Sequence, residues 1–520
     1  MNQKRIYSSL VTENLERIMG LCDRNPYSPS YGSFDRAYWN YKTTDFSNTR
    51  LQETVLTFAL LYSKKYPGAE EYYKSEKLLE IIKAALRFWI KIQKRNGSFD
   101  EAYTHESSYV ATAFSAYAVA ETLVILRKEL KGKEREELIK SLRKACDFLV
   151  SNTDYMVSNH MAGAAAAIIK LWQIKKEEKY LKDYQEIIKW LRENQDQEGW
   201  FPEYGGADLG YTTVTVDYLA KCHEVTRDKE LLEMAKKAIN FVSLFCYPDG
   251  SSGGELFSRS TEYIIPSGME YFADKIEMAK TVSEHLLKGI EKKTCVSLAS
   301  LDDRYCLCNS YTYLQAYDSF SDKKAKVELP YKRVFREHLE NSGLYIDSTR
   351  ERYLVISTKK GGVLMAMSKD GKKVALDSGI VAKKGDEVLV SQWLDPKTKV
   401  EIGKKDVIVA GKLHKMKTER MTSPKLLALR IASKLLGRYL KKILIRYVIT
   451  GSAKSNYSFK RKITISGKIK VEDQVGDAKG LKLFNAGGFS TVHTASSQYF
   501  SKKQLEARAS SFRKLRNLGI

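Results

Sequence analysis

Residues 158–171 read SNHMAGAAAAIIKL, and residues 193–219 read ENQDQEGWFPEYGGADLGYTTVTVDYL. In the first, Asn159 and His160 open a helix of small side chains, Met161 to Leu171. In the second, a Gly-rich, acid-bearing loop leads at Tyr211 into another apolar helix. A helix with almost no charge on any side is one that is buried on every side. If two such helices are parallel neighbours, the polar side chains of their first turns meet at one mouth. Asn, His and Tyr in that position can move a proton and neutralise a carboxylate. The competing reading makes Asn159 a helix cap and His160 a satisfied core histidine.

Outward from this stretch the pattern is helical from about residue 48 to 320, with apolar residues three and four apart. Helices rich in Lys and Glu alternate with nearly uncharged ones, such as SYVATAFSAYAVAETL, MAGAAAAIIKL and YTTVTVDYL. Similar turns recur at QKRNGSFDE, NQDQEGWFPE and YPDGSSGGE, with central glycines Gly97, Gly199 and Gly250. SNTDYMVSN, at 151–159, falls where the missing turn belongs. The unit is a helical hairpin of about fifty residues, repeated so that each hairpin covers the next. An uncharged inner ring inside a charged outer ring predicts an (α/α) toroid over residues 1–325.

From about residue 330 short β-branched runs replace the helical period, and Lys359-Lys360-Gly361-Gly362 and Lys369-Asp370-Gly371-Lys372 read as hairpin turns. Residues 326–520 are thus expected to form an antiparallel β-sandwich, making the chain multidomain, α then β. Charge divides the same way. Residues 321–520 hold 44 Lys+Arg and 18 Asp+Glu, net +26, against a net of −2 for residues 1–320. Such a field draws polyanions. Within it, residues 423–447 are expected to form one basic amphipathic helix without an acidic residue, suited either to an anionic membrane surface or to covering a sheet edge.

The seven cysteines lack disulfide or metal spacing and read as reduced thiols. Residues 1–22 have no apolar core of a secretory signal, which predicts a cytoplasmic protein, peripheral at the inner membrane face if the basic helix docks there. No run approaches the ~18 apolar residues of a membrane span.

A toroid followed by a sandwich, with Asn159-His160 and Tyr211 opening successive inner helices, resembles the heparinase II/III-like polysaccharide lyases and uronyl epimerases. Ser158 stands where that family has a first Asn, and the GGADLG loop before Tyr211 departs from its wording. The resemblance implies Asn159, His160 and Tyr211 as catalytic residues, an acidic polysaccharide or oligosaccharide as substrate, and no cofactor or metal. The chemistry suits these groups. The proton on carbon 5 of a uronic acid is very weakly acidic until hydrogen bonds neutralise the adjacent carboxylate. Asn159 would neutralise it, Tyr211 or His160 would take the proton, and Tyr211 could return one to the leaving oxygen. Returning the proton to the opposite face of carbon 5 would make an epimerase instead.

Arg36, Trp39, Asp45, Arg50, His105, Glu106, Arg259, Glu262 and Tyr263 sit at corresponding ends of successive hairpins and are expected to help bind substrate, together with Glu203 and Asp208. Two other readings stay open. One is a hydrolase of uronyl oligosaccharides using carboxylates from Glu106, Glu203, Asp208 and Asp217. The other is a non-catalytic polysaccharide-binding or assembly protein at the inner membrane face. Nucleic acid is excluded as a partner, because the basic residues are dispersed and form no recognition motif.

Overall fold

The computed structural model describes residues 3–372, 374–416, 420–445, 451, 453–476 and 480–485. Six inner helices form a ring: α1 (Thr54–Ser63), α2 (Tyr109–Ile125), α3 (Ser158–Lys175), α4 (Leu209–Thr226), α5 (Pro266–Phe272) and α6 (Asp303–Asp318). Each packs on the next, and α6 packs back on α1, so the toroid read from the sequence is closed. Small residues permit this. Ala164 to Ala167 are fully buried, and a Cβ on Gly163 would lie 2.3 Å from the Phe114 ring of α2. Overpacking of that kind costs about 1–3 kcal/mol.

The charged helices Glu76–Ile92, Gly132–Ser151, Glu178–Asn194, Lys229–Ser243 and Glu277–Glu291 make the outer layer. Helix Gln3–Thr12 packs on α6 and completes it, the Tyr7 hydroxyl donating to a Glu270 carboxylate oxygen at 2.7 Å. The recurrent turn glycines explain how hairpins stack. Gly97 and Gly199 adopt φ of +86° and +102°, and a Cβ there would meet the carbonyl oxygens of Lys144 and Lys237, on the following outer helices, at 2.0 and 2.3 Å. Gln93 and Gln195, four residues earlier, each donate to that glycine's carbonyl and to one on the same outer helix, Ser141 and Met234. Each turn is therefore keyed into the next hairpin.

Helix gives way to strand between Asp318 and Phe335. Strands β1 (Phe335–Leu339), β2 (Leu344–Ser348), β3 (Arg352–Ser357), β4 (Val363–Ser368) and β5 (Val374–Asp377) form one antiparallel sheet in that order. The second sheet runs β11 (Lys470–Val475), β10 (Ala453–Thr464), β9 (Asp406–Lys415), β7 (Glu387–Val390), β6 (Ile380–Lys384), β12 (Lys482–Asn485), with β8 (Lys399–Ile402) also on β9. Alternation decides what each face covers. Leu344, Ile346, Tyr353, Val355, Val363 and Met367 join the core of the toroid. Their neighbours Tyr345, Leu354, Ile356, Leu364 and Ala366 join a second core with Ile380, Leu389, Val407 and Val409 of the other sheet. Strands β2, β3 and β4 of the first sheet thus make a middle layer, buried on both faces.

The expected basic helix is instead two, α7 (Ser423–Leu436) and α8 (Arg438–Leu444). Gly437, at φ +52°, ends α7 and breaks the single apolar stripe expected along 423–447. Residues 446 and 447 of that expectation, and 486–520 of the expected sandwich, lie outside the described residues. No described helix is long and apolar enough to cross a membrane.

Candidate active site

Val157 caps α3, so Asn159 and His160 lie inside its first turn rather than before it. Asn159 does not serve as a cap. Its backbone N–H and its Nδ2 both donate to the Glu203 carboxylate, at 2.9 and 2.6 Å. Glu203 is fully buried and sits on a backbone bridge to Val157, which brings the 203 loop against the start of α3. Burial pushes its carboxyl well above the ordinary range, outweighing the Asn159 hydrogen bonds. His160 Nδ1 lies 2.8 Å from Asp154 Oδ2. An acceptor there keeps the proton on Nδ1 and leaves Nε2 as the basic nitrogen. Burial opposes the charge of Asp154, but the hydrogen bond and charge of His160, with Lys441, hold its carboxyl below the ordinary range.

One turn of the ring away, Asp208 caps α4. Its carboxylate accepts from the backbone N–H groups of Tyr211 (3.2 Å), Arg259 (3.0 Å) and Thr261 (3.4 Å), and from the Thr261 hydroxyl. Asp208 therefore fixes the first turn of α4 against the loop carrying Arg259. The Arg259 guanidinium hydrogen-bonds the Tyr211 side chain and lies 4.9 Å from the centroid of the Tyr204 ring. Positive charge is thereby placed where a phenolate would form. Lys360, from the turn between β3 and β4, holds the same loop from behind. Its Nζ donates to the carbonyls of Glu255 and Phe257, both at 2.7 Å, and to Ser260 Oγ at 3.1 Å. Burial pushes the Lys360 ammonium down to about 8.

These first turns open on one cavity of about 280 Å³, lined by Asn159, His160, Tyr204, Tyr211, Arg259 and Tyr263, with Arg50, Arg304 and Lys441 among the other walls. Two ring-to-ring steps through Tyr204, of 6.5 and 6.4 Å, join His160 to Tyr211. Most cavity cations face carboxylates: Arg50 pairs with Glu53, Arg304 with Glu101, and Lys441 with Glu106 at 2.8 Å. Burial works against the charge of Lys441, but Glu106 and Glu101 raise it above the ordinary range. Arg259 differs, facing tyrosines. Among the described residues no three His, Cys, Asp or Glu side chains are grouped to hold a metal ion.

Of the residues expected at the site, Asn159, His160, Tyr211, Arg50, Glu106, Arg259 and Tyr263 converge on the cavity, and Asp217 also lines it. Glu203 and Asp208 are buried behind it, one under Asn159 and one under Tyr211. Arg36, Trp39 and His105 do not line it. Arg36 is exposed, 5.2 Å from the Tyr41 ring. The Trp39 indole donates to the Leu21 carbonyl at 2.9 Å. His105 sits exposed in a left-handed turn, φ +62°. Asp45 pairs instead with Arg430 of α7. Sequence reasoning missed Asp154, Tyr204, Glu53, Glu101, Arg304 and Lys441. The first-turn rule that found His160 and Tyr211 also points to Arg304, in the first turn of α6. Lys441 arrives from the other end of the chain with no such signal.

Residues 38–260 match the family model of the ulvan lyase N-terminal domain. No curated protein sequence matches the chain. Among solved structures, xanthan lyase from Paenibacillus aligns with a TM-score of 0.56 at 10% identity, over 91% of this chain and 45% of its own. The chain thus spans less than half of that enzyme. Chondroitin AC lyase from Streptomyces coelicolor A3, solved with chondroitin sulphate, aligns with a TM-score of 0.53 at 10% identity, over 97% of this chain and 81% of its own. Heparinase III aligns at 0.49 with 11% identity, over 82% and 71%. At such identities the likeness to xanthan lyase and chondroitin AC lyase is one of fold, here an (α/α) toroid joined to a β-sandwich.

Proposed function

We propose that this chain acts on an acidic, uronic-acid polysaccharide by removing the proton on carbon 5, as a lyase or, with reprotonation from the other face, an epimerase. The observation that carries the reading is the pairing of an Asp154-oriented His160 with an Arg259-backed Tyr211 in one cavity. The match to the ulvan lyase domain and the fold shared with xanthan and chondroitin AC lyases support it.

In this mechanism Arg259 and the second N–H of the Asn159 amide face the substrate carboxylate and make carbon 5 acidic enough to ionise. His160 Nε2 accepts the proton. The electron pair left on carbon 5 forms a double bond to carbon 4 as the bond from carbon 4 to the glycosidic oxygen breaks. The Tyr211 hydroxyl protonates that oxygen, and Arg259 stabilises the phenolate until it is reprotonated. Glu203 and Asp208 are positioning residues. Their burial counts against the hydrolase reading, since neither reaches the cavity. The remaining carboxylates are engaged as well: Glu106 with Lys441, and Asp217 with Lys221 and the Ser267 hydroxyl.

The test is incubation with a panel of uronic-acid polymers, following ultraviolet absorbance of the unsaturated end and deuterium uptake from solvent. Absorbance marks the lyase, and deuterium at carbon 5 without cleavage marks the epimerase. Hydrolysis without either signal overturns the proposal.

A further inference from the structure

Helices α7 and α8 leave the second sheet between β9 and β10 and reach across to the toroid. Two ion pairs tether them there: Arg430 to Asp45, at 3.0 and 3.2 Å, and Lys441 to Glu106 at 2.8 Å. Lys441 also donates to Ser108 Oγ at 3.1 Å, and Lys441 and Ile445 form part of the cavity wall. Leu440 and Ile445 are buried, but α7 packs little of itself. Ser433 is its one buried residue, while Leu427, Ile431 and Leu435 are 60%, 54% and 78% exposed. Those three are four residues apart and make a continuous aliphatic stripe on one side of the helix. Leu426 and Leu436 of α7 and Tyr439 and Ile443 of α8 are exposed as well, each 44% or more. Lys425, Arg430 and Lys434 are exposed beside it, and no Asp or Glu occurs from Met421 to Val471.

We infer that α7, with the start of α8, is a docking surface for an anionic lipid bilayer. The combination of groups decides the occupant. A dissolved acidic polysaccharide is held by cations and leaves aliphatic side chains in water, so it gives the stripe no partner. A bilayer with anionic headgroups serves both. The stripe enters the boundary between headgroups and acyl chains while the flanking Lys425 and Lys434 meet the phosphates. The wholly basic run and the +26 net charge of residues 321–520 supply the long-range attraction. Because α8 also walls the cavity, docking sets the mouth of the site at the lipid surface. The surface itself needs no catalytic activity and is independent of the proposed reaction.

The experiment is co-sedimentation of the whole chain with phosphatidylcholine vesicles, alone or with one-third phosphatidylglycerol. Binding to the mixed vesicles should exceed binding to the neutral ones by about tenfold or more, and high salt should weaken it. The triple variant Leu427→Ser, Ile431→Ser, Leu435→Ser should melt like the parent, because all three side chains are exposed, yet lose about tenfold in vesicle binding. Lys425→Gln with Lys434→Gln should lose binding to mixed vesicles only. Equal binding to neutral and mixed vesicles overturns the inference. So does a triple variant that binds as the parent does. So does a parent chain that sediments with neither kind of vesicle.

Discussion

Replacing Asp154 by Asn keeps the shape of the side chain and inverts what it offers His160. The carboxylate oxygen 2.8 Å from Nδ1 can only accept, whereas the amide can turn an N–H toward the ring. An N–H there favours the tautomer with the proton on Nε2, which then has no lone pair for carbon 5. In Ser-His-Asp triads the same exchange costs about 10⁴ in kcat with the geometry intact, or about 5.5 kcal/mol. Asp154 is 17% exposed, so an amide oxygen can also be accommodated and keep the productive tautomer. The loss then reduces to a charge-assisted hydrogen bond, about 1.5–3 kcal/mol. We expect Asp154→Asn to lower kcat by about 10- to 10⁴-fold with KM little changed, read by absorbance or deuterium uptake. Stability gives a second reading. The folded Asp154 carboxyl is held below its ordinary value, so its contribution is full above about pH 4 and lost as pH falls through the folded value. The gap in Tm between parent and variant should therefore shrink in acid. A variant within threefold of the parent in kcat would refute the assignment of His160 as the Asp154-oriented base.

Tyr211→Phe removes a single hydroxyl and should lower kcat by about 10²-fold or more while leaving the melting curve unchanged; full activity would move the acid role elsewhere. Lys360→Met strands three acceptors around the Arg259 loop and should cost about 3 kcal/mol along with activity. The folded Lys360 titrates near 8, below the ordinary lysine value. The unfolded chain thus binds more protons between there and about pH 10.5, and parent stability should rise relative to Lys360→Met across that window, measured by denaturant melts. Gly199→Ala forces a Cβ to 2.3 Å from the Lys237 carbonyl at φ +102° and should cost about 3 kcal/mol or more in a denaturant melt.

The ring was legible because burial on all sides leaves its mark on each inner helix separately, as the alanines of α3 show. The convergence of Asn159, His160 and Tyr211 on one cavity was legible for a related reason: first turns of parallel inner helices must share one end of the ring. Asp154 was not, since a carboxylate in a loop before a helix looks like any solvated turn until the loop is seen folded over His160. Glu203 and Asp208 were placed on the right loop but in the wrong layer. Sequence shows a carboxylate near Asn159 or Tyr211 without showing that it accepts from their N–H groups and turns away from solvent. Arg36, Trp39 and His105 failed because hairpin order locates a loop at one end of the ring, not on its inner rim. Lys441 lies more than three hundred residues from Glu106, and a local pattern carries nothing about that pairing.

The middle position of the first sheet has a consequence for how the molecule can be cut. In most sandwiches a polar outer face makes each half soluble once its partner sheet is present. Here β2, β3 and β4 have no outer face, because successive residues are assigned alternately to two cores. A fragment starting near residue 330 would present Leu344, Ile346, Tyr353, Val355, Val363 and Met367 to water as one contiguous apolar surface, the kind that drives association. The toroid alone would bare the complementary patch and lose the lysine behind Arg259. Neither half is therefore an independent module, and exchange of the β half between relatives has to preserve the side chains facing the toroid as strictly as those facing the second sheet.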